Sequence, residues 1–214
     1  DDAGVHPLLL AKAHERYLPY EERAPRELLT HASLILGTGQ LSLAKYLMIC
    51  AHEDNPGLDI NDEEAFFIHL LERIDFGRDL HFTTRTTMDT LDYSTGHIHE
   101  GSKLVMAAAG EQKRELAGEI PSGVLAAPGF SELRLAAKGM AVIQGPRFTD
   151  YQTASQEIGQ LTDRLARWEG AEKVPLMVIA DDAGLAVRTF ANFLWVTFSR
   201  SNPSHDVYGV NETS

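Results

Sequence analysis

Few groupings in this sequence combine residue types and spacing that could do chemistry. His97-x-His99-Glu100 sets two imidazoles and a carboxylate close together, a donor set that can take a divalent ion. The spacing is short and glycine-flanked, and no second histidine motif supports it, so no metal ligand is assigned. Asp181-Asp182 follows an apolar strand candidate, at the end where α/β proteins place ligands. An acidic pair there also serves as a loop cap. A metal-dependent enzyme would have to bring His97, His99, Asp181 and Asp182 into one place. Gly37-Thr38-Gly39-Gln40 could cradle a phosphate, but it ends a helix and lacks the lysine-serine ending of a P-loop, so it reads as a C-cap with a tight turn. Cys50 is the only cysteine and sits in the apolar run Tyr46-Leu47-Met48-Ile49-Cys50-Ala51, where it reads as a small buried hydrophobe. No disulfide can form within the chain. With no Gly-x-Ser-x-Gly elbow and no Cys-His pair, covalent hydrolase chemistry has no support. No catalytic residue is assigned.

Elements must position whatever chemistry exists, and composition bounds them. The 214 residues are 43% apolar and 23% charged, enough for a sizeable core and unlike a disordered chain. A net charge of -12 repels phosphate backbones and anionic lipid, so nucleic acid and membrane surfaces are not expected partners. No apolar run approaches the roughly 20 residues that span a bilayer, and Asp1-Asp2-Ala3-Gly4 lacks a signal pattern. A soluble, cytoplasmic protein is expected. The absence of an initiator methionine suggests a piece of something longer.

Helix and strand signals alternate, as in an α/β class. Pro7 to Tyr17 reads as a short helix. Another begins at Pro25, carries Leu28, Leu29, Ala32, Ile35 and Leu36 on one face and stops at Gly37. Lys45 to Ala51 reads as a buried parallel strand. Asp62 caps a helix striped by Phe66, Phe67, Leu70, Leu71 and Ile74. Short strands are expected at Leu80 to Thr83, Lys103 to Ala107, Leu133 to Leu135 and Met140 to Gln144. A helix from Gln152 to Trp168, a strand from Leu176 to Ala180 and a helix around Thr189 to Ser199 follow. Glu111 to Gly129, rich in glycine and proline, reads as a long connection. The expected domains are 1–110, a 111–129 connection, and 130–214.

Two stretches look like copies. Leu47-Met48-Ile49, an acidic loop, Phe66-Phe67 and Arg73-Ile74-Asp75-Phe76-Gly77-Arg78-Asp79 are echoed by Leu176-Met177-Val178, Asp181-Asp182, Phe193-Leu194 and Arg200-Ser201-Asn202-Pro203-Ser204-His205-Asp206. Each reads strand, acidic turn, helix, Arg-x-Asn/Asp-x-x-x-Asp, strand. The expected fold is therefore three-layer α/β, a mostly parallel sheet with flanking helices built from two approximate βαβ repeats. Arg73, Asp79, Arg200 and Asp206 are either paired ionic sites, or helix-end arginines and turn-fixing aspartates.

Here a family resemblance enters. Gly39-Gln40-Leu41-Ser42-Leu43-Ala44-Lys45-Tyr46-Leu47-Met48-Ile49, Arg73 to Asp79, Thr87-Met88-Asp89-Thr90-Leu91-Asp92-Tyr93-Ser94 and Gly101-Ser102-Lys103 resemble, in order, the C-terminal domain of the UbiD family. Those are decarboxylases and carboxylases that use prenylated FMN. The resemblance covers residues 5 to 110 well. The second copy, through Tyr208-Gly209, looks like a terminal extension of a longer branch. The resemblance implies a longer carboxy-lyase acting on an unsaturated or aromatic acid. Its glutamate-arginine-glutamate proton relay, flavin-binding domain and divalent metal would lie upstream, with none of these bound to this fragment alone. It also implies that Lys45 contacts the cofactor phosphate, and that the partners are the upstream flavin-binding domain and further copies in a homo-oligomer. His52-Glu53-Asp54 departs from the family's all-acidic turn. The alternative is a non-catalytic oligomerisation or binding module.

Overall fold

The structure, a computed structural model, describes residues 7–17, 20–123 and 127–211. The opening Asp1-Asp2-Ala3-Gly4 and residues 124–126 of the expected connection lie outside them. The chain divides into two units, Asp1–Lys113 with Phe198–Asp206, and Arg114–Thr197 with Val207–Ser214. The expected 1–110 portion falls in the first unit, the 111–129 connection falls across the boundary, and the 130–214 portion gives Phe198–Asp206 to the first unit.

In the first unit, β1 (Leu8–Ala13), α1 (Glu27–Leu36), β2 (Tyr46–Ala51), α2 (Glu63–Arg73), β3 (Leu80–Thr87) and β4 (Glu100–Ala108) form a four-stranded sheet in the order β1-β2-β4-β3. β1 and β4 both pair parallel with β2, and every residue of β2 is buried. Alternation then divides its side chains between two faces. Leu47, Ile49 and Ala51 join Leu28 and Ala32 of α1, with Val105 and Ala107 of β4, in one cluster. Tyr46, on the opposite face, meets Phe198, which also meets Phe67 of α2. Helix, sheet and helix thus make three layers.

Two expectations are corrected here. Pro7 to Tyr17 is not a helix, since its apolar run Leu8-Leu9-Leu10-Ala11 is β1. A short, wholly apolar run carries no period that separates helix from strand, and pairing along β2 decides it. Nor does β3 complete a parallel βαβ unit with β2. It pairs antiparallel with β4 and starts opposite Met106, near the carboxyl end of β4. The chain leaving α2 therefore re-enters the sheet at the edge where β2 ended, a return and not a crossover.

In the second unit, β5 (Ser131–Ala137), β6 (Met140–Gln144), α3 (Tyr151–Leu165), β7 (Leu176–Ala180), α4 (Ala183–Ala186) and most of α5 (Phe190–Arg200) build a three-stranded sheet, β5-β6-β7. β5 pairs antiparallel and β7 parallel with β6. Phe130, Ala141, Ile143, Leu161, Leu165 and Trp168 form its core. α6 (Pro203–Asp206) belongs to the first unit.

The repeat survives with its frame moved one strand back. The parallel strand-helix-strand pairs are β1-α1-β2 and β6-α3-β7, each followed by a helix ending in arginine, Arg73 or Arg200. The turns after those helices match. Asp75 N donates to Asp79 Oδ2 at 2.9 Å, and Asn202 N donates to Asp206 Oδ2 at 2.6 Å. Both aspartates fix turns, and the arginines sit where the helix dipole favours cations. The strand expected after Asp206 is absent among the described residues, where Val207 to Val210 has no regular structure.

Local capping follows the sequence. Asp62 accepts from Ala65 N at 3.0 Å at the start of α2. Asp62→Ala is expected to cost about 1 kcal/mol in urea unfolding; no measurable loss would show that the cap is dispensable.

Candidate functional site

Lys45 directly precedes β2, and Lys103 lies inside β4. The parallel register Tyr46↔Leu104 and the bond from Leu104 N to Lys45 O at 3.0 Å bring the two lysines side by side at the amino-terminal mouth of these strands. Ligand crevices in α/β sheets usually lie at the opposite, carboxyl end. Both side chains are sequestered, the residues being 1% and 6% exposed.

An ammonium has three donors to place. Nζ of Lys45 lies 2.9 Å from Asp92 Oδ2 and donates to Ser94 Oγ at 3.0 Å and to the carbonyl of Ser199 at 3.4 Å. Burial lowers the Lys45 proton affinity, while Asp92 and then Asp206 oppose that. Burial also pushes Asp92 up, but its bonds from Ser94 and the nearby Lys45 ammonium win and hold the carboxyl below its ordinary range. Asp92 Oδ1 accepts from Ser94 N at 2.8 Å and Ser94 Oγ at 2.5 Å. Oδ2 makes no aligned hydrogen bond among the described residues, despite its closeness to Nζ.

Lys103 Nζ donates to the carbonyls of Ser42 and Ala44, each at 2.8 Å, and lies 3.6 Å from the Met88 sulfur. It therefore pins the turn that delivers Lys45. Burial lowers it to about 8, and Asp92 opposes.

Each residue of Gly101-Ser102-Lys103 holds a different segment. A Cβ on Gly101 would stand 2.6 Å from Met88 Cγ, so only glycine lets the 88–99 loop lie across β4. Ser102 Oγ donates to Asn202 Oδ1 and accepts from Ser204 N at 2.8 Å. Tyr46 OH bonds Ser201 Oγ at 2.6 Å, and burial pushes its phenol up. The 198–206 segment thus closes the mouth over Lys45, Tyr46 and Ser102. Sequence reasoning singled out Lys45 alone. Asp92, Ser94 and Lys103 stood in the family-like motifs without a role, and Ser201 to Ser204 stood in the second repeat copy with no part at this mouth.

The other candidates are dispersed. Glu100 pairs with Arg85 at 3.0 Å, and His99, at φ 62°, has Nδ1 3.3 Å from Thr90 Oγ1. Asp182 caps α4 by accepting from Leu185 N at 2.7 Å. Asp181 lines a cleft of about 460 Å³ with Gln144, Gly145 and Arg147. His97 and His99 fall in the first unit, Asp181 and Asp182 in the second. No three His, Cys, Asp or Glu side chains among the described residues gather as a metal site needs. Gly37 caps α1, and Gly39 (φ 46°) turns the chain toward β2. Cys50 is wholly buried, which pushes its thiol up. No helix among the described residues is long and apolar enough to cross a membrane.

His69 on α2 is 5% exposed, and its Nε2 makes no hydrogen bond among the described residues. Burial, with Arg73 nearby, lowers it to about 4 from 6.5. The unfolded chain then binds the proton more readily, so stability falls as pH drops from 6.5 towards 4. His69→Leu is expected to flatten that limb when urea midpoints are compared across pH. An unchanged slope would remove His69 as its source.

Fold and site define an α/β protein with a buried lysine-carboxylate mouth at the start of two parallel strands. The chain belongs to the UbiD C-terminal family: residues 1–108 match the family described as the 3-octaprenyl-4-hydroxybenzoate carboxy-lyase C-terminal domain. It is 31% identical over 207 residues to an uncharacterized protein of Chlamydia trachomatis (serovar D), covering 97% of this chain and 32% of that one. It is 29% identical over 210 residues to a Chlamydia pneumoniae protein named as a 4-hydroxybenzoate decarboxylase subunit, and the match takes in 98% of this chain and 32% of that one. The chain spans about a third of the length of these curated relatives.

Proposed function

We propose that this chain is the C-terminal part of a longer UbiD-like carboxy-lyase that decarboxylates an unsaturated or aromatic acid without oxidation. In this reading the parent uses prenylated FMN. The chain contributes Lys45 to the cofactor phosphate and surface to subunit assembly, while proton transfer belongs to residues upstream. The family match supports the parent activity, and the name of the Chlamydia pneumoniae relative agrees with it.

The observation that carries the phosphate reading is charge. Two buried ammoniums lie near one carboxylate, Asp92, which contacts Lys45 and acts on Lys103 only through its charge, an imbalance that suits a phosphate. Lys45 is already engaged by Asp92, Ser94 and Ser199, so a phosphate reaches it by exchange and not by filling a vacant donor. When bound, such a flavin supplies a sink for the electron pair left as carbon dioxide departs. This chain's residues orient and neutralise its phosphate end.

The test is the full-length protein, made in a host that produces prenylated FMN. Lys45→Met with Asp92→Asn removes both charges together and should lower flavin retention, read by absorbance after gel filtration, at least tenfold. Full retention would overturn the Lys45 role. Light scattering of the same preparations tests assembly; a monomer at all concentrations would remove that part.

A further inference from the structure

Taking the phosphate reading of Lys45 as its basis, we propose that Asp92 is a resident counter-ion which a phosphate ester displaces, and that Lys103 is the second cation of the site. The 88–99 loop is the element that moves.

Three observations carry this. The strand register sets Lys45 and Lys103 on neighbouring parallel strands with side chains on one face, so an anion reaching one ammonium feels the other. Among the described residues, the carboxylates acting on these lysines are Asp92 and Asp206. Asp92 comes from the loop and acts on both lysines, and Asp206 comes from α6 and acts on Lys45 while its own Oδ2 is held by Asn202 N. A dianion brought to two ammoniums gains more than the single carboxylate it replaces.

The loop's attachment is the third observation. Asp92 Oδ1 is bound to Ser94 of the same loop, and among the described residues Asp92 Oδ2 has only its unaligned approach to Nζ. Two of the three contacts on Lys45, from Asp92 and Ser94, therefore leave together if this one loop lifts. The loop connects β3 to β4 without regular structure; Met88 is buried at its start, but Leu91, Tyr93 and Ile98 are exposed, so lifting its 90–98 part uncovers little apolar surface. The Ser199 carbonyl and the two carbonyls on Lys103 come from other segments and stay behind as the fixed wall.

Calorimetric titration of the 214-residue chain with inorganic phosphate, and separately with FMN, tests the exchange. Asp92→Asn removes the competing charge and should bind phosphate at least tenfold more tightly than the wild-type chain. Adding Lys45→Met or Lys103→Met should abolish that gain. Ser94→Ala keeps the charge but loosens the loop and should give a smaller gain, which keeps the proposal testable if Asp92→Asn folds poorly. A folded Asp92→Asn or Ser94→Ala chain that binds no better than wild type overturns the exchange. A gain untouched by Lys103→Met overturns the second cation. Flavin retention by full-length Lys45→Met with Asp92→Asn decides the underlying cofactor reading separately, so the two can fail independently.

Discussion

Lys45→Met alone is expected to lower stability by about 3–5 kcal/mol, because it strands a carboxylate that folding has removed from water. The Lys45 and Asp92 side chains are 1% and 2% exposed, so neither finds solvent when its partner goes. Removing both should cost much less than the single change, since an ion pair replaced as a whole leaves no naked charge. Urea unfolding of Lys45→Met, Asp92→Asn and the double variant completes the cycle. Purely additive losses would mean that the pair is not coupled as its 2.9 Å separation implies. Any cofactor assay on Lys45→Ala alone would confuse lost binding with lost folding, which is why the paired variant is the informative one.

Phe198→Ala is expected to have a similar effect, about 3–5 kcal/mol, the range for truncating a buried aromatic. Phe198 is 3% exposed, with its ring 4.9 Å from that of Tyr46 and 5.6 Å from that of Phe67. It ties the start of β2 to α2, so its loss opens the sheet face on which Lys45 depends. Thermal melts of the variant, beside a chain ending at Thr197, measure this. Native-like melting of the shortened chain would show that the first unit needs nothing from the 198–206 segment.

Much of the fold was readable because its signals are local. β6 and β7 fall where their apolar runs place them, and α2 begins at Asp62 because a carboxylate there meets an unpaired amide. β1 was not readable as a strand, because Leu8-Leu9-Leu10-Ala11 suits either state until β2 lies beside it. The antiparallel course of β3 was hidden for a related reason, since its partner β4 follows it in the chain. At the site, Lys45 was legible only through the family resemblance. Asp92 and Lys103 stood in view without meaning, because their relation to Lys45 exists only after distant strands align. The repeat marked Arg200 to Asp206 in the sequence but not this role, since the partners of Ser199, Ser201 and Ser204 are the distant Lys45, Tyr46 and Ser102.

That last arrangement bears on how the protein is made. The first unit is interrupted by Arg114–Thr197 and finished only by Phe198–Asp206. During synthesis, Lys45 must wait for Ser199, and loop closure over so long a separation is slow and entropically costly. A ribosome that stalls within the interrupting stretch leaves a product with its lysine mouth unsealed. Only translation past Ser199 adds the last cover to Lys45, so the order of synthesis sets when that buried charge is shielded.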